Sequence, residues 1–236
     1  MKQQFFKGVR HGVPIMLGYL SVSFGFGVLC IRQNLSILAA VGISVTNLTS
    51  AGQVAGVEII AASGSLIEMI LCQLVINLRY SLMSLSLSQK LAPSFTLMHR
   101  LFVGYGITDE IFAVASSRKE PLTPPYMYGL ILTPFLGWSF GTLIGAIAGD
   151  IMPASVTAAL SLMLYAMFIA IIIPPAKKNK KVLLVVLLAA ALSVVIHYCL
   201  PMISGGFAVI IAALVSSVIG ALFFPVSAEE RGEAAS

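Results

Sequence analysis

Eight apolar runs follow one another along the chain, at residues 13–31, 37–62, 66–88, 99–117, 126–149, 155–174, 182–200 and 205–224. Each holds about 18 residues or more, the length a helix needs for a hydrocarbon core about 30 Å thick. Lipid offers no hydrogen bonds to backbone N–H and C=O groups, so only helices and closed barrels cross it, and these runs lack the alternation of a barrel strand. The expected fold class is therefore all-α, a polytopic transmembrane helical bundle of about eight spans and no fewer than six. With 58% hydrophobic and 10% charged residues, the 236-residue chain leaves no material for a soluble domain. Residues 1–226 are read as one transmembrane domain, and 227–236, with Glu229, Glu230 and Glu233, as a short polar C-terminal tail.

The net charge of +5 bears on topology and does not indicate a nucleic-acid surface. With eight spans and a cytoplasmic N-terminus, the inner segments carry Lys2, Lys7, Arg10, Arg118, Lys119, Lys177, Lys178, Lys180, Lys181 and Arg231. The outer ones carry Arg32, Lys90 and Arg100. The excess predicts a multi-pass protein of the cytoplasmic membrane with both termini inside. The basic start followed by an apolar core resembles a signal peptide, but no small-x-small cleavage site follows, so it is read as an uncleaved first span. Cys30, Cys72 and Cys199 stand alone in apolar segments and are read as packing residues.

Polar groups inside the apolar runs are the candidates for function, since a charge at the bilayer centre costs about 2.5 to 3.5 kcal/mol on insertion scales. In 66–88, Glu68 and Arg79 are eleven residues apart, about three turns plus 20°, and so share a face about 16 Å apart. Gln73, Asn77 and Ser84 form a neighbouring stripe. Arg79 cannot be neutralised and must find a carboxylate, carbonyls or water. Asp109 and Glu110 are the natural counter-charges. Adjacent carboxylates in low dielectric repel, which favours proton exchange; the alternative is a solvated helix cap.

Two further clusters, Ser21–Gly27 and Thr46–Gln53, place small residues where a helix would break and expose backbone to a ligand, or else pack closely on another helix. Gln53 and Glu58 lie well within their run. Residues 14–29 and 134–143 share an order of Pro, Leu-Gly, aromatic and Ser-Phe-Gly. That echo admits a duplication with halves 13–117 and 126–224, or a chance match. No metal-ligand or catalytic spacing is visible, so no cofactor and no enzymatic activity are expected. Two rivals remain: a non-transporting membrane scaffold or assembly subunit, and an intramembrane aspartyl protease using Asp109 and Asp150, whose Ala148-Gly149-Asp150 lacks the first glycine of Gly-x-Gly-Asp.

VINLRYSLMSLSLSQKL at 75–91, ITDEIFAV at 107–114, GVPIMLGYLSVSFGFGVL at 12–29 and SAGQ at 50–53 resemble the AzlC-type permeases of bacteria and archaea over nearly the whole chain. The resemblance implies the large subunit of an exporter of branched-chain amino acids (valine, leucine, isoleucine and analogues), driven by proton motive force together with a small AzlD-type membrane protein. A zwitterionic substrate needs a cationic or N–H subsite, an anionic or carbonyl subsite and an apolar pocket. Arg79 and Asn77 suit the first, with Gln53, Ser23, Gly25 and Phe26 as further substrate-binding candidates. Asp109 and Glu110, with Glu68, are the proton-coupling candidates, and Phe24, Phe26, Met83 and Phe112 suit the apolar pocket.

Overall fold

A computed structural model describes residues 1–148, 162, 166, 168–170 and 172–224. Among these, nine helices have defined bounds: α1 (Lys2–Arg32), α2 (Ile37–Thr46), α3 (Ser50–Ala61), α4 (Leu66–Ser88), α5 (Leu97–Tyr105), α6 (Asp109–Ser116), α7 (Pro124–Ala148), α8 (Lys180–Cys199) and α9 (Gly205–Phe223). Of these, α1, α4, α7, α8 and α9 are long and apolar enough to cross a membrane. The run at 155–174 and Asp150 fall largely or wholly outside the described residues. The chain folds as two compact units, residues 1–57 with 76–167 and residues 58–75 with 168–236, so the chain enters each unit twice.

The first unit is built on α1 and α7, the most extensive helix contact of the described elements. Gly8 meets Tyr126 and Leu130, Gly12 meets Thr133 and Pro134, and Gly27 meets Thr142 and Ala146, so the two helices run in the same direction. From α7, Gly129, Gly137, Gly141 and Gly145 answer with the backbones of Phe5, Met16, Leu20 and Phe24. Small residues every four positions let two backbones touch, which in lipid supplies the dispersion contact that holds helices together. Of the two readings open for the cluster at 21–27, a break or close packing, the second holds: α1 is continuous there, and the small side chains serve close approach.

Two other runs do break. Residues 37–61 are interrupted at 47–49 and residues 97–116 at 106–108. The second of these begins and ends at one end of the unit. Lys90, just after α4, reaches the carbonyls of Ser116 and Arg118, and the backbones of Lys90 and Leu122 pair at 2.8 Å. This end also holds the start of α1, where His11 meets the Tyr126 hydroxyl at 2.9 Å and Lys7 meets Glu120 at 3.3 Å. So α5 and α6 form a re-entrant hairpin. Parity extends the argument: α1 leaves this end and α4 returns to it, so α2 and α3 between them also enter and turn back. Runs 37–62 and 99–117, expected as spans, are half-helix pairs that re-enter. Lys90 and Arg100, expected opposite the N-terminus, lie on its side.

At this end Glu120 accepts from Lys7 and from Arg118, and both bonds hold its carboxyl below the ordinary 4.5. A depressed carboxyl adds stability above its unfolded value, and that stability is lost as pH falls through the folded value. Glu120→Gln should therefore remove a small acid-side step, below pH 4.5, from a plot of melting temperature against pH.

In the second unit α8 packs on α9, with Gly220 seated against Val185.

Candidate functional site

Both breaks of the first unit leave helix-end backbone groups that lipid cannot satisfy, and side chains close them. Ser44, Thr46 and Asn47 end α2. Gln53 donates to the carbonyls of Ile43 (3.2 Å) and Asn47, and Tyr105, the last residue of α5, donates to that of Val45. Trp138 Nε1 in turn donates to Gln53 Oε1 at 2.9 Å, and Gln53 is 1% exposed. The amide of Gln53 is thus engaged in holding the break. At the second break Thr108 caps α6, accepting from Ile111 N at 3.4 Å, and Asp109 and Glu110 occupy the first turn, where a helix N-terminus favours negative charge.

Asp109 Oδ2 lies 3.0 Å from Arg79 Nη2. Arg79 is the fourteenth residue of the 23-residue α4, so the pair stands near mid-span. The guanidinium also donates to the Tyr80 hydroxyl at 3.1 Å and lies 4.9 Å from that ring's centroid. Its Nε is buried and has no hydrogen-bond partner, while the side chains of Arg79 and Asp109 remain 36% and 24% exposed. A charge pair with a spare donor and an open side is able to exchange its internal contact for a ligand.

Tyr19, in the middle of α1, joins the two breaks. Its hydroxyl meets Glu110 Oε2 and lies 2.6 Å from Thr108 Oγ1. A phenol has one proton, which goes to the carboxylate as the stronger acceptor, leaving the Thr108 hydroxyl to donate back. The Tyr19 ring stacks edge-on against Trp138, centroids 5.2 Å apart, and packs with Leu48 of the other break. Tyr19, Trp138 and Tyr105 were not singled out from sequence. The available signal was position: aromatic belts sit at the interfaces, and a tyrosine at mid-span has a hydroxyl that needs a partner.

The other candidates fall elsewhere. Ser23 and Phe26 are fully buried and Gly25 is buried in the same stretch of α1, Ser23 donating at 3.5 Å to the Gly137 carbonyl of α7. Asn77 is half-buried on α4 and hydrogen-bonds or packs with neighbours. Met83 and Phe112 pack on the core around Ile111 and Tyr126. Glu68 lies in the second unit, 4% exposed, where its carboxylate accepts from the Ser204 hydroxyl and, at 3.0 Å, from Gly206 N. It caps the start of α9 from outside that helix. Glu68→Ala should cost about 1 to 2 kcal/mol, the range for losing a helix cap, and Glu68→Gln, which keeps an acceptor, clearly less; melting of both variants in detergent checks this.

The family model described as AzlC protein matches residues 14–152. The chain belongs to the AzlC family. It is 30% identical to the inner membrane protein YgaZ of Escherichia coli K12 over 70% of this chain and 71% of that one. It is 31% identical to an uncharacterized membrane protein of Archaeoglobus fulgidus over 71% and 74%, and 26% identical to one of Helicobacter pylori over 59% and 62%. No solved structure matches. The AzlC match contains α1 from Pro14 onward, both breaks, Arg79, Asp109, Glu110 and all of α7. Family and relatives make this a membrane protein with a transport-related role.

Proposed function

We propose that this AzlC-family chain is the large subunit of a secondary-active exporter of branched-chain amino acids in the cytoplasmic membrane, coupled to protons and working with a small AzlD-type membrane partner. The observation that carries the reading is the half-exposed Arg79–Asp109 pair at a helix break near mid-span, the setting in which transporters bind charged substrates. The substrate carboxylate takes Arg79, whose Nε is spare, and the ammonium takes Asp109. Protonation of Asp109 then weakens ammonium binding and favours release. Glu110 responds to the same protons through Tyr19, which ties it to the α2–α3 break, while Gln53 acts as a positioning residue. Lys2, Lys7, Arg10, Lys90, Arg100, Arg118 and Lys119 share one end of the first unit and only Arg32 stands at the other, which supports a cytoplasmic N-terminus.

The test is counterflow of radiolabelled leucine in proteoliposomes, with and without the small partner, at several pH values. Partner-dependent exchange is expected, with a pH profile that Tyr19→Phe flattens although the ring and its packing remain. A wild-type complex that is folded but exchanges no branched-chain amino acid would overturn the substrate assignment, and an unchanged profile in Asp109→Asn would overturn the coupling.

A further inference from the structure

Between the C-terminal half of α4, α5 and α7 lies a cavity of about 200 Å³ in the first unit, open on one side. Its walls are mostly apolar, with Leu87, Phe95, Val103, Ile107 and Met127 from the buried core. Three polar residues interrupt them: Ser84 and Ser88 on α4, both half-buried, and the exposed Arg100 on α5. Leu91 and Phe95 place its outer part at the end of the unit where α1 begins, because Leu91 pairs there with Leu122. Its inner part approaches the ion pair from two sides. Ile107 lies in the α5–α6 break, two residues before Asp109. On α4, Ser84 continues the stripe of Asn77, seven residues and about two turns deeper.

We infer that this cavity is an entry subsite for a zwitterionic aliphatic amino acid, which passes from the N-terminal side of the membrane to the Arg79–Asp109 pair. The inference rests on the proposed function and specifies the route to that site. Three features fit that occupant. The volume accepts one branched side chain and little more. The apolar walls replace the water that such a side chain sheds, with a gain of about 25 cal/mol per Å² of apolar surface. Arg100, exposed on the wall, attracts the carboxylate, while the hydroxyls of Ser84 and Ser88 satisfy an ammonium that has left water. Because Gly104 and Ile107 belong to the wall and to the hairpin end, filling the cavity bears on the break that positions Asp109.

The test uses full-length chain with Cys30, Cys72 and Cys199 replaced by serine, carrying Ser84→Cys or Ser88→Cys, reconstituted with its partner. The rate of modification by a membrane-impermeant thiol reagent is measured from each side, with leucine, with glycine and with an anionic phospholipid of short chain. The expected result is modification from the N-terminal side that leucine at ten times its dissociation constant slows about tenfold, as mass action requires of a competitor, with glycine far weaker. Modification that leucine leaves unchanged, while the same protein performs leucine counterflow, overturns the entry subsite and leaves the transport reading standing. Protection by the phospholipid alone makes the cavity a lipid site and also overturns it, as does modification from the opposite side only. If the wild-type complex exchanges no leucine, the transport reading fails and the subsite falls with it.

Discussion

Arg79→Gln is expected to lower leucine counterflow at least about a hundredfold, equivalent to about 2.7 kcal/mol at 1.36 kcal/mol per decade. The variant removes both the partner of Asp109 and, among the described residues of the first unit, the only fixed cation near mid-span. Part of the loss is structural, because truncating one member of a buried pair leaves the other charge stranded, at about 3 to 5 kcal/mol for a fully buried pair. Here both side chains are partly exposed, so the structural share is smaller. Arg79→Lys keeps the charge but loses the planar fork and its stacking on Tyr80, and should fall between wild type and Gln. The decisive measurement joins melting temperature with counterflow in the double variant Arg79→Gln, Asp109→Asn. Recovered stability without recovered transport is expected. Recovery of both would mean that the pair only holds helices together.

The largest effect on folding is expected at the seam of α1 and α7. A side chain at Gly145 would overlap the Phe24 backbone carbonyl, and one at Gly27 that of Thr142. Backbone atoms cannot swing aside, so the helices must separate, and the whole four-residue ladder of contacts goes with them. Gly145→Leu should cost about 3 kcal/mol or more, the upper range of overpacking, and yield little monodisperse protein in detergent. Gly18 and Gly42 provide the control, since nothing lies within 4 Å of an added Cβ at either. Alanine there should be neutral or stabilising by up to about 1 kcal/mol. Equal tolerance at Gly145 and Gly18 would refute the packing described.

The helical character, the limits of α4 and a counter-charge for Arg79 at Asp109 or Glu110 were legible in the sequence; that Asp109 takes Arg79 while Glu110 takes Tyr19 was not. Apolar run length sets the first two, and a guanidinium that cannot lose its charge calls for a carboxylate, carbonyls or water, of which the carboxylates at 109–110 were the visible candidates. The hairpins were not legible as such. A re-entrant half-helix pair has the length and apolarity of a span, and what separates the two is contact between distant residues, such as Trp138 with Gln53 and Lys90 with Arg118. Small residues were ambiguous for a related reason: within 46–53 they accompany a break and at 21–27 a close approach, although α7 packs against both. Glu68 and Arg79 share a helical face, yet Glu68 binds the first turn of α9. Periodicity gives the direction of a side chain but not its neighbour.

The parallel seam of α1 and α7 also dictates an order of assembly. Residues 33–123 are synthesised between the two helices, so α1 waits in the bilayer with its glycine ladder against lipid until the ribosome has delivered α7. Tyr19 and Trp138, which hold both breaks, belong to these two helices. Neither half-helix pair has its full support until the seam closes. The frame around the Arg79–Asp109 pair is therefore completed late in biogenesis, and a nascent chain stalled before α7 carries these ionisable residues without it.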